Sequence, residues 1–166
     1  MSRVLSSQPL TAAAFAPFGD VIEVSGVPDK LINQGMCGRH HDLARLDFTD
    51  GRAGISLFDA KARQFPHVVD MVERHPDGSQ AFIPVSGVPM LVIVAEDQDG
   101  SPVNLKAFVS QPGQSVNLLR GVWHGVLAPV EKPGRFIVID RIGDGPNLQE
   151  HWFDDPFVVE TVTKAP

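Results

Sequence analysis

Cysteine occurs once in this 166-residue chain, at Cys37, which excludes an internal disulfide and suits a reducing compartment. Nothing around it argues for a depressed pKa, so Cys37 reads as an ordinary thiol. Basic runs are also missing. With a formal net charge of −6 and no cluster of lysines or arginines, a nucleic-acid partner is excluded. Long apolar runs are absent too: the longest, "MLVIVA" at Met90–Ala95, is far short of the roughly 20 residues that span a bilayer, so no membrane partner is expected. The stretch "MSRVLSSQPL" has no apolar region of a signal peptide, and a cytoplasmic location is expected.

What is present points to a packed β protein. Hydrophobic residues make up 43% and charged residues 20%, enough for one ordinary core and against global disorder. The length predicts a single domain over 1–166, at roughly 100–200 residues per domain. Fourteen prolines and 15 glycines cut the chain into short apolar runs, the rhythm of an all-β sandwich or barrel. Strands are expected over 20–24, 54–59, 67–75, 80–85, 90–97, 105–110, 114–119, 124–130 and 135–142. "PDGS" and "EDQDGSP" carry Asp and Gly for tight turns. One helix is expected, over 11–18, capped by Thr11 and ended by Pro17. The segment 148–162 fits a helix or a strand. The irregular stretch 25–53 reads as functional or interface-forming.

Strand parity then groups the polar residues. Residues two apart share a face, so Val69, Met71, Glu73 and His75 line one side of 67–75, with the last two at the mouth of the interior. "HPDGS" is expected to fold the chain back as a hairpin and bring Gln80 alongside. A lone histidine such as His124 is more often structural than chemical. Its surroundings change that reading. Glu73-Arg74-His75, four residues, Gln80, six residues and Gly87 resemble the first motif of the cupin superfamily. Gly113, five residues, Leu119-Arg120-Gly121, two residues and His124 resemble the second, with Leu119 in the place of its Pro and Ala128 in the place of its Asn. The resemblance implies a cupin-like β-barrel, a double-stranded β-helix. A cupin metal is held by three His and one Glu, for which this chain has Glu73, His75, Gln80 and His124. Two imidazoles and a carboxylate suit an open-sided centre, and the neutral Gln oxygen is a poor fourth donor. A loosely held divalent ion is therefore expected at most.

"ERHPDGSQAFIPVSG", "GVWHGVLAPV" and "FIVIDRIGDGPNLQE" are more specific, and resemble the ureidoglycolate lyase family, formerly called ureidoglycolate hydrolase. "PLTAAAFAPFGDVIEV" and "INQGMCGRHHDLARLDF" fit it as well. The resemblance implies a homodimeric, cytosolic enzyme of allantoin catabolism. It would be a carbon–nitrogen lyase of the amidine-lyase type that splits ureidoglycolate into glyoxylate and urea, activated by nickel or a similar divalent ion. It also implies active-site roles for His75, Gln80, His124 and Glu73.

Such an elimination removes a hydroxyl proton and delivers a proton to the departing urea nitrogen, work for one base and one acid. His75, His124 and Glu73 are tunable into those roles, with Gln80 as an orienting hydrogen-bond partner. Without a metal an arginine must receive the substrate carboxylate. Arg39 is the expected one, beside His41, with Asn33 from the same stretch as a further substrate-binding candidate. Asp140 shares a face with Phe136 and Val138 and is expected to reach the interior, where it would orient a histidine. "DRIGDGPN" reads as a structural turn rather than a phosphate loop, lacking a helix after it. Trp123 and Trp152 read as core or interface anchors. The competing readings are a cupin-fold small-acid binding protein or isomerase, and a hydrolase that releases ammonia.

Overall fold

The glycine and proline rhythm marks real strand ends in the computed structural model, which describes residues 3–162; the tips of the expected 1–166 domain lie outside the described residues. β1 (Arg3–Val4) and β2 (Ser7–Pro9) precede a single helical turn, α1 (Ala12–Phe15), and β3 (Gly19–Ile22). β4 (Lys30–Ile32) and β5 (Cys37–Arg39) form an exposed two-stranded hairpin. The main strands follow: β6 (Arg52–Ala60), β7 (His67–Arg74), β8 (Gln80–Pro84), β9 (Met90–Gln98) and β10 (Ser101–Val109). The chain ends through β11 (Ser115–Leu118), β12 (Trp123–His124), β13 (Ala128–Pro129), β14 (Gly134–Ile142) and β15 (Gln149–Val159).

These strands make two main sheets. The larger runs β1-β15-β7-β12-β9-β10-β2 with β13 on β9, and the smaller runs β3-β11-β8-β14-β6. From β7 to β15 the chain keeps crossing between them: β7 large, β8 small, β9 and β10 large, β11 small, β12 and β13 large, β14 small, β15 large. That winding is a double-stranded β-helix, and the fold is all-β with one short N-terminal helix, as the sequence predicts. No helix among the described residues is long and apolar enough to cross a membrane.

Periodicity explains the core. Met90, Val92 and Val94 of β9 face the space between the sheets with Phe15, Phe18, Phe82, Phe108 and Phe136. Leu91, Ile93 and Ala95 face the other way, into a second core with Trp123, Val130 and Val159. The run "MLVIVA" is continuous because its strand is buried on both faces. Thr11 caps α1 by accepting a hydrogen bond from the Ala14 amide at 3.3 Å, and Phe15 then drops into the first core. Asp99 (φ 53°) and Gly100 (φ 82°) make the tight β9–β10 turn with two left-handed residues.

Three expectations change. The residues after "HPDGS" do not form a hairpin with β7; β8 pairs with β11 and β14, so the turn carries the chain from one sheet to the other. Strict parity fails in β7, where Val69 and Val72 both enter the second core beside a register shift against β15 between Trp152 and Phe157. The segment 124–130 is two short bridging pieces rather than one strand, and 148–162 is a strand for most of its length. Of the two tryptophans, Trp123 is buried in the second core and Trp152 is exposed.

The stretch 40–50 is held at residues 47–50 by Asp77, Ser79, Arg120 and Arg141, and at Arg45 by Asp20. Its Oδ2 accepts from the Arg45 amide at 2.8 Å and from Asn117 Nδ2 at 3.0 Å, and its Oδ1 accepts from Arg45 Nε at 2.9 Å. Burial pushes the Asp20 carboxyl up, but the Arg45 amide and guanidinium and the Asn117 amide outweigh it and hold it below the usual carboxylate range. A depressed folded pKa contributes stability above the unfolded value and loses it as pH falls through the folded one. We expect Asp20→Asn to lower unfolding stability by about 1–2 kcal/mol at pH 7. In urea melts that gap should narrow steadily once pH falls below about 4.

Candidate active site

β12 is only two residues long, yet it fixes the centre of the site. His124 lies directly across from Glu73 of β7 and from Val94 of β9, so the three side chains point the same way, into the interior. The Gly121 amide donates to the His75 carbonyl at 2.9 Å and stitches the turn before β12 to the end of β7. Gly125 follows His124 where a side chain is excluded: a Cβ there would stand 2.9 Å from Ile93 Cβ. The result is one cluster. The ligand atoms of Glu73, His75 and His124 all lie within 4.8 Å of one another, and the imidazole centroids are 5.2 Å apart.

Both imidazoles are held in the same sense. His75 Nδ1 donates to the Asn147 carbonyl at 2.8 Å, and His124 Nδ1 donates to the Gly125 carbonyl at 2.9 Å. A carbonyl only accepts, so in each neutral ring the proton sits on Nδ1 and Nε2 carries a lone pair. Both Nε2 atoms are buried and have no protein partner among the described residues. Glu73 Oε1 stands 3.8 Å from His75 Nε2. Burial pushes the Glu73 carboxyl up; nearby His75 opposes this and Glu150 adds to it. Burial takes His124 down to about 4, with His75 adding to the effect, against the Gly125 hydrogen bond. His124 is a neutral lone-pair donor throughout the physiological range.

Gln80 faces this cluster from the opposite sheet. Its Nε2 donates to Asp140 Oδ2 at 3.2 Å, while its buried Oε1 has no partner among the described residues. Asp140 does reach the interior, but it holds Gln80 rather than a histidine. Glu73 and Gln80 share the wall of a cavity of about 410 Å³ with Phe58, Phe82, Arg63 and Leu127. That volume suits a small organic acid. Another cavity, of about 380 Å³, is lined by Pro89, Ser110 and Val130; it touches Gly87 of the first motif but none of Glu73, His75, Gln80 and His124.

The structure thus brings together Glu73, His75, His124 and Gln80. It does not bring Arg39 or Asn33 to them within one chain. Both lie on the exposed β4–β5 hairpin, where Arg39 Nη2 donates to His41 Nδ1 at 2.8 Å and Asn33 forms the left-handed turn (φ 52°). The arginine on the cavity is Arg63, whose loop is held by its own amide donating to the Pro129 carbonyl at 2.9 Å. Sequence reasoning passed over it because it sits between two strands with no motif around it. Asn147 was missed as well: its role is a backbone carbonyl, plus a side-chain Oδ1 that accepts from the Asp77 amide at 2.7 Å. "DGPN" is therefore a structural turn with a use, since it aims His75.

The family model described as ureidoglycolate lyase matches residues 2–160. The chain is 67% identical over 157 residues to the ureidoglycolate lyase of Rhodobacter capsulatus, covering 94% of this chain and 98% of that one. It is 48% identical to ureidoglycolate lyase 2 of Rhizobium meliloti, covering 94% and 97% of the two chains. Among solved structures, RmlC from Streptococcus suis in complex with dTDP-D-xylose overlays with a TM-score of 0.40 at 12% identity, covering 82% of this chain and 56% of that one. With a match from residue 2 to residue 160 and identity of 67% to a curated relative, this chain belongs to the ureidoglycolate lyase family.

Proposed function

We propose that the chain is a lyase that eliminates urea from ureidoglycolate to give glyoxylate, with Glu73, His75 and His124 as its reacting centre. The observation that carries this is the pair of buried Nε2 lone pairs converging with a carboxylate beside a cavity sized for a small acid. The substrate carbon bears a carboxylate, a hydroxyl and the ureido nitrogen. The hydroxyl proton leaves, the carbon–oxygen bond becomes the aldehyde carbonyl, the carbon–nitrogen bond breaks, and nitrogen takes one proton. No net proton is consumed, so one proton accepted by the site can be the one returned.

The trio also fits a divalent ion: two imidazole nitrogens and a carboxylate oxygen are a sound donor set for a transition metal. Such an ion, when bound, polarises hydroxyl and carboxylate oxygens and lowers the hydroxyl pKa. The protein's own part is the same with or without it. Asn147 and Gly125 keep both Nε2 atoms free to accept, and Phe58, Phe82 and Leu127 give the cavity an apolar wall. Arg63 offers a planar donor pair to the substrate carboxylate, which is the role sequence reasoning gave to Arg39.

Replacing His75 or His124 singly with Ala should lower kcat for urea release by at least about 100-fold, since each removes an acceptor or a ligand. Arg63→Ala should act mainly on KM, raising it about tenfold or more through loss of a charge-assisted pair. Near-parental turnover in both histidine variants, read by glyoxylate and urea together, contradicts the assignment. Ammonium in place of urea would favour the hydrolase reading. Thorough chelation that abolishes turnover, restored by one divalent ion, assigns the trio as ligands; unchanged turnover assigns it to direct proton transfer.

We further propose a cytosolic homodimer that pairs through the outer face of the smaller sheet. Leu57, Ile137 and Ile83 align across three strands, with Ile55 and Ile139 beside them, and Ile55 and Leu57 are 76% and 65% exposed. The chain exposes 9383 Å² for 18.0 kDa, where a folded monomer of that mass shows about 8,000 Å². The excess, roughly 1,300 Å², is larger than the roughly 800 Å² that one partner covers in a standard interface. Ile55→Lys with Leu57→Lys should convert a dimer to a folded monomer in light scattering; an unchanged dimer mass rules this face out.

A further inference from the structure

Gln80 is the one cavity residue whose polarity the protein fixes without using it. Its side chain is 6% exposed, its Nε2 is committed to Asp140 Oδ2 at 3.2 Å, and its Oε1 is buried without a protein partner among the described residues. The reverse orientation would set the Gln80 oxygen against the Asp140 carboxylate, acceptor against acceptor. Asp140 therefore holds the Gln80 amide in one direction. A buried carbonyl left unpaired costs stability, and of the two amide oxygens so placed among the described residues, those of Gln80 and Asn117, only that of Gln80 belongs to a residue lining the cavity.

We infer that Gln80 Oε1 accepts a hydrogen bond from the terminal amide N–H of the ureido group, and that Asp140 is a positioning residue that sets the direction of that acceptor. The inference rests on the reading of this site as taking ureidoglycolate. The geometry divides the substrate into two ends. Arg63, on the same cavity wall, suits the carboxylate, and the neutral acceptor suits the donor at the opposite end of the substrate, the terminal NH₂. A carboxylate at position 80 would stand against Asp140, whereas the amide lets a single acceptor face inward. Specificity follows from this. A site built to pair with an N–H rejects an analogue lacking it far more strongly than an apolar pocket rejects a change in size.

The test compares ureidoglycolate with N-acetyl-2-hydroxyglycine, which keeps the carboxylate, the hydroxyl and the inner N–H but has a methyl in place of the terminal NH₂. Glyoxylate release is measured for the parent and for Asp140→Asn and Gln80→Met, with bound divalent ion quantified in each. The parent should favour ureidoglycolate by at least about 100-fold in kcat/KM. That ratio should fall at least tenfold in Asp140→Asn, where the Gln80 amide has no enforced direction. It should fall as far in Gln80→Met, which retains volume without a comparable acceptor. Two variants are used so that misfolding of one leaves the other as the test. An unchanged ratio in the folded variants overturns the inference, as does an equal loss on both substrates. Loss of a bound ion from Gln80→Met would reassign Oε1 as a metal ligand and also overturn it. A parent that releases no glyoxylate from ureidoglycolate overturns the lyase reading and this inference with it, a result distinct from an active parent whose preference survives both substitutions.

Discussion

Two backbone carbonyls, those of Asn147 and Gly125, decide what this site is able to do. Each accepts from the Nδ1 of one imidazole, so each neutral ring turns an unprotonated Nε2 toward the centre. Had the carbonyls faced Nε2 instead, the lone pairs would point away from Glu73 and the cluster would have no shared focus. The rest of the fold maintains that arrangement. Gly125 stays against β9 because its amide donates to Ile93 at 2.9 Å, and Asn147 stays over His75 because its side chain accepts from the Asp77 amide. Cross-strand pairing of Glu73 with His124 supplies the carboxylate in register.

The electrostatics of the cluster are consistent with this. Burial disfavours charge at both Glu73 and His124, raising one pKa and lowering the other. His124 is fully buried, while Glu73 and His75 keep 21% and 18% of their side-chain surface exposed. The same burial strengthens whatever pairs with the orphaned Nε2 and Oε1 atoms, and makes leaving them unpaired expensive.

Much of this was legible in the sequence, for definable reasons. The two motif frames marked Glu73, His75, Gln80 and His124 because their spacing is set by turns; Gly87, Gly113 and Gly121 all adopt left-handed backbone, with φ of 66°, 88° and 77°. Strand existence was legible from apolar runs between glycines and prolines. Strand partners were not. "HPDGS" has the chemistry of a hairpin, but β8 pairs with β11 and β14, whose distance along the chain leaves no local trace. Arg39 was favoured because it lies among other polar residues, while Arg63 gains its place only from the packing of a loop on β13. The Asn147 carbonyl is a backbone group and carries no side-chain signature at all. The helix-or-strand ambiguity at the C-terminus reflects mixed charged and aromatic residues, and pairing with β7 resolved it.

The central claim is that both imidazoles present a bare Nε2 to the substrate. Nitrogen-15 spectra of histidine-labelled protein at neutral pH read this directly. The account predicts that His75 and His124 are both in the Nδ1–H form, each with an unprotonated Nε2, and that these two Nε2 signals shift when glyoxylate and urea are added together. Nε2–H tautomers at either residue, or Nε2 signals that do not respond to those products, would contradict it.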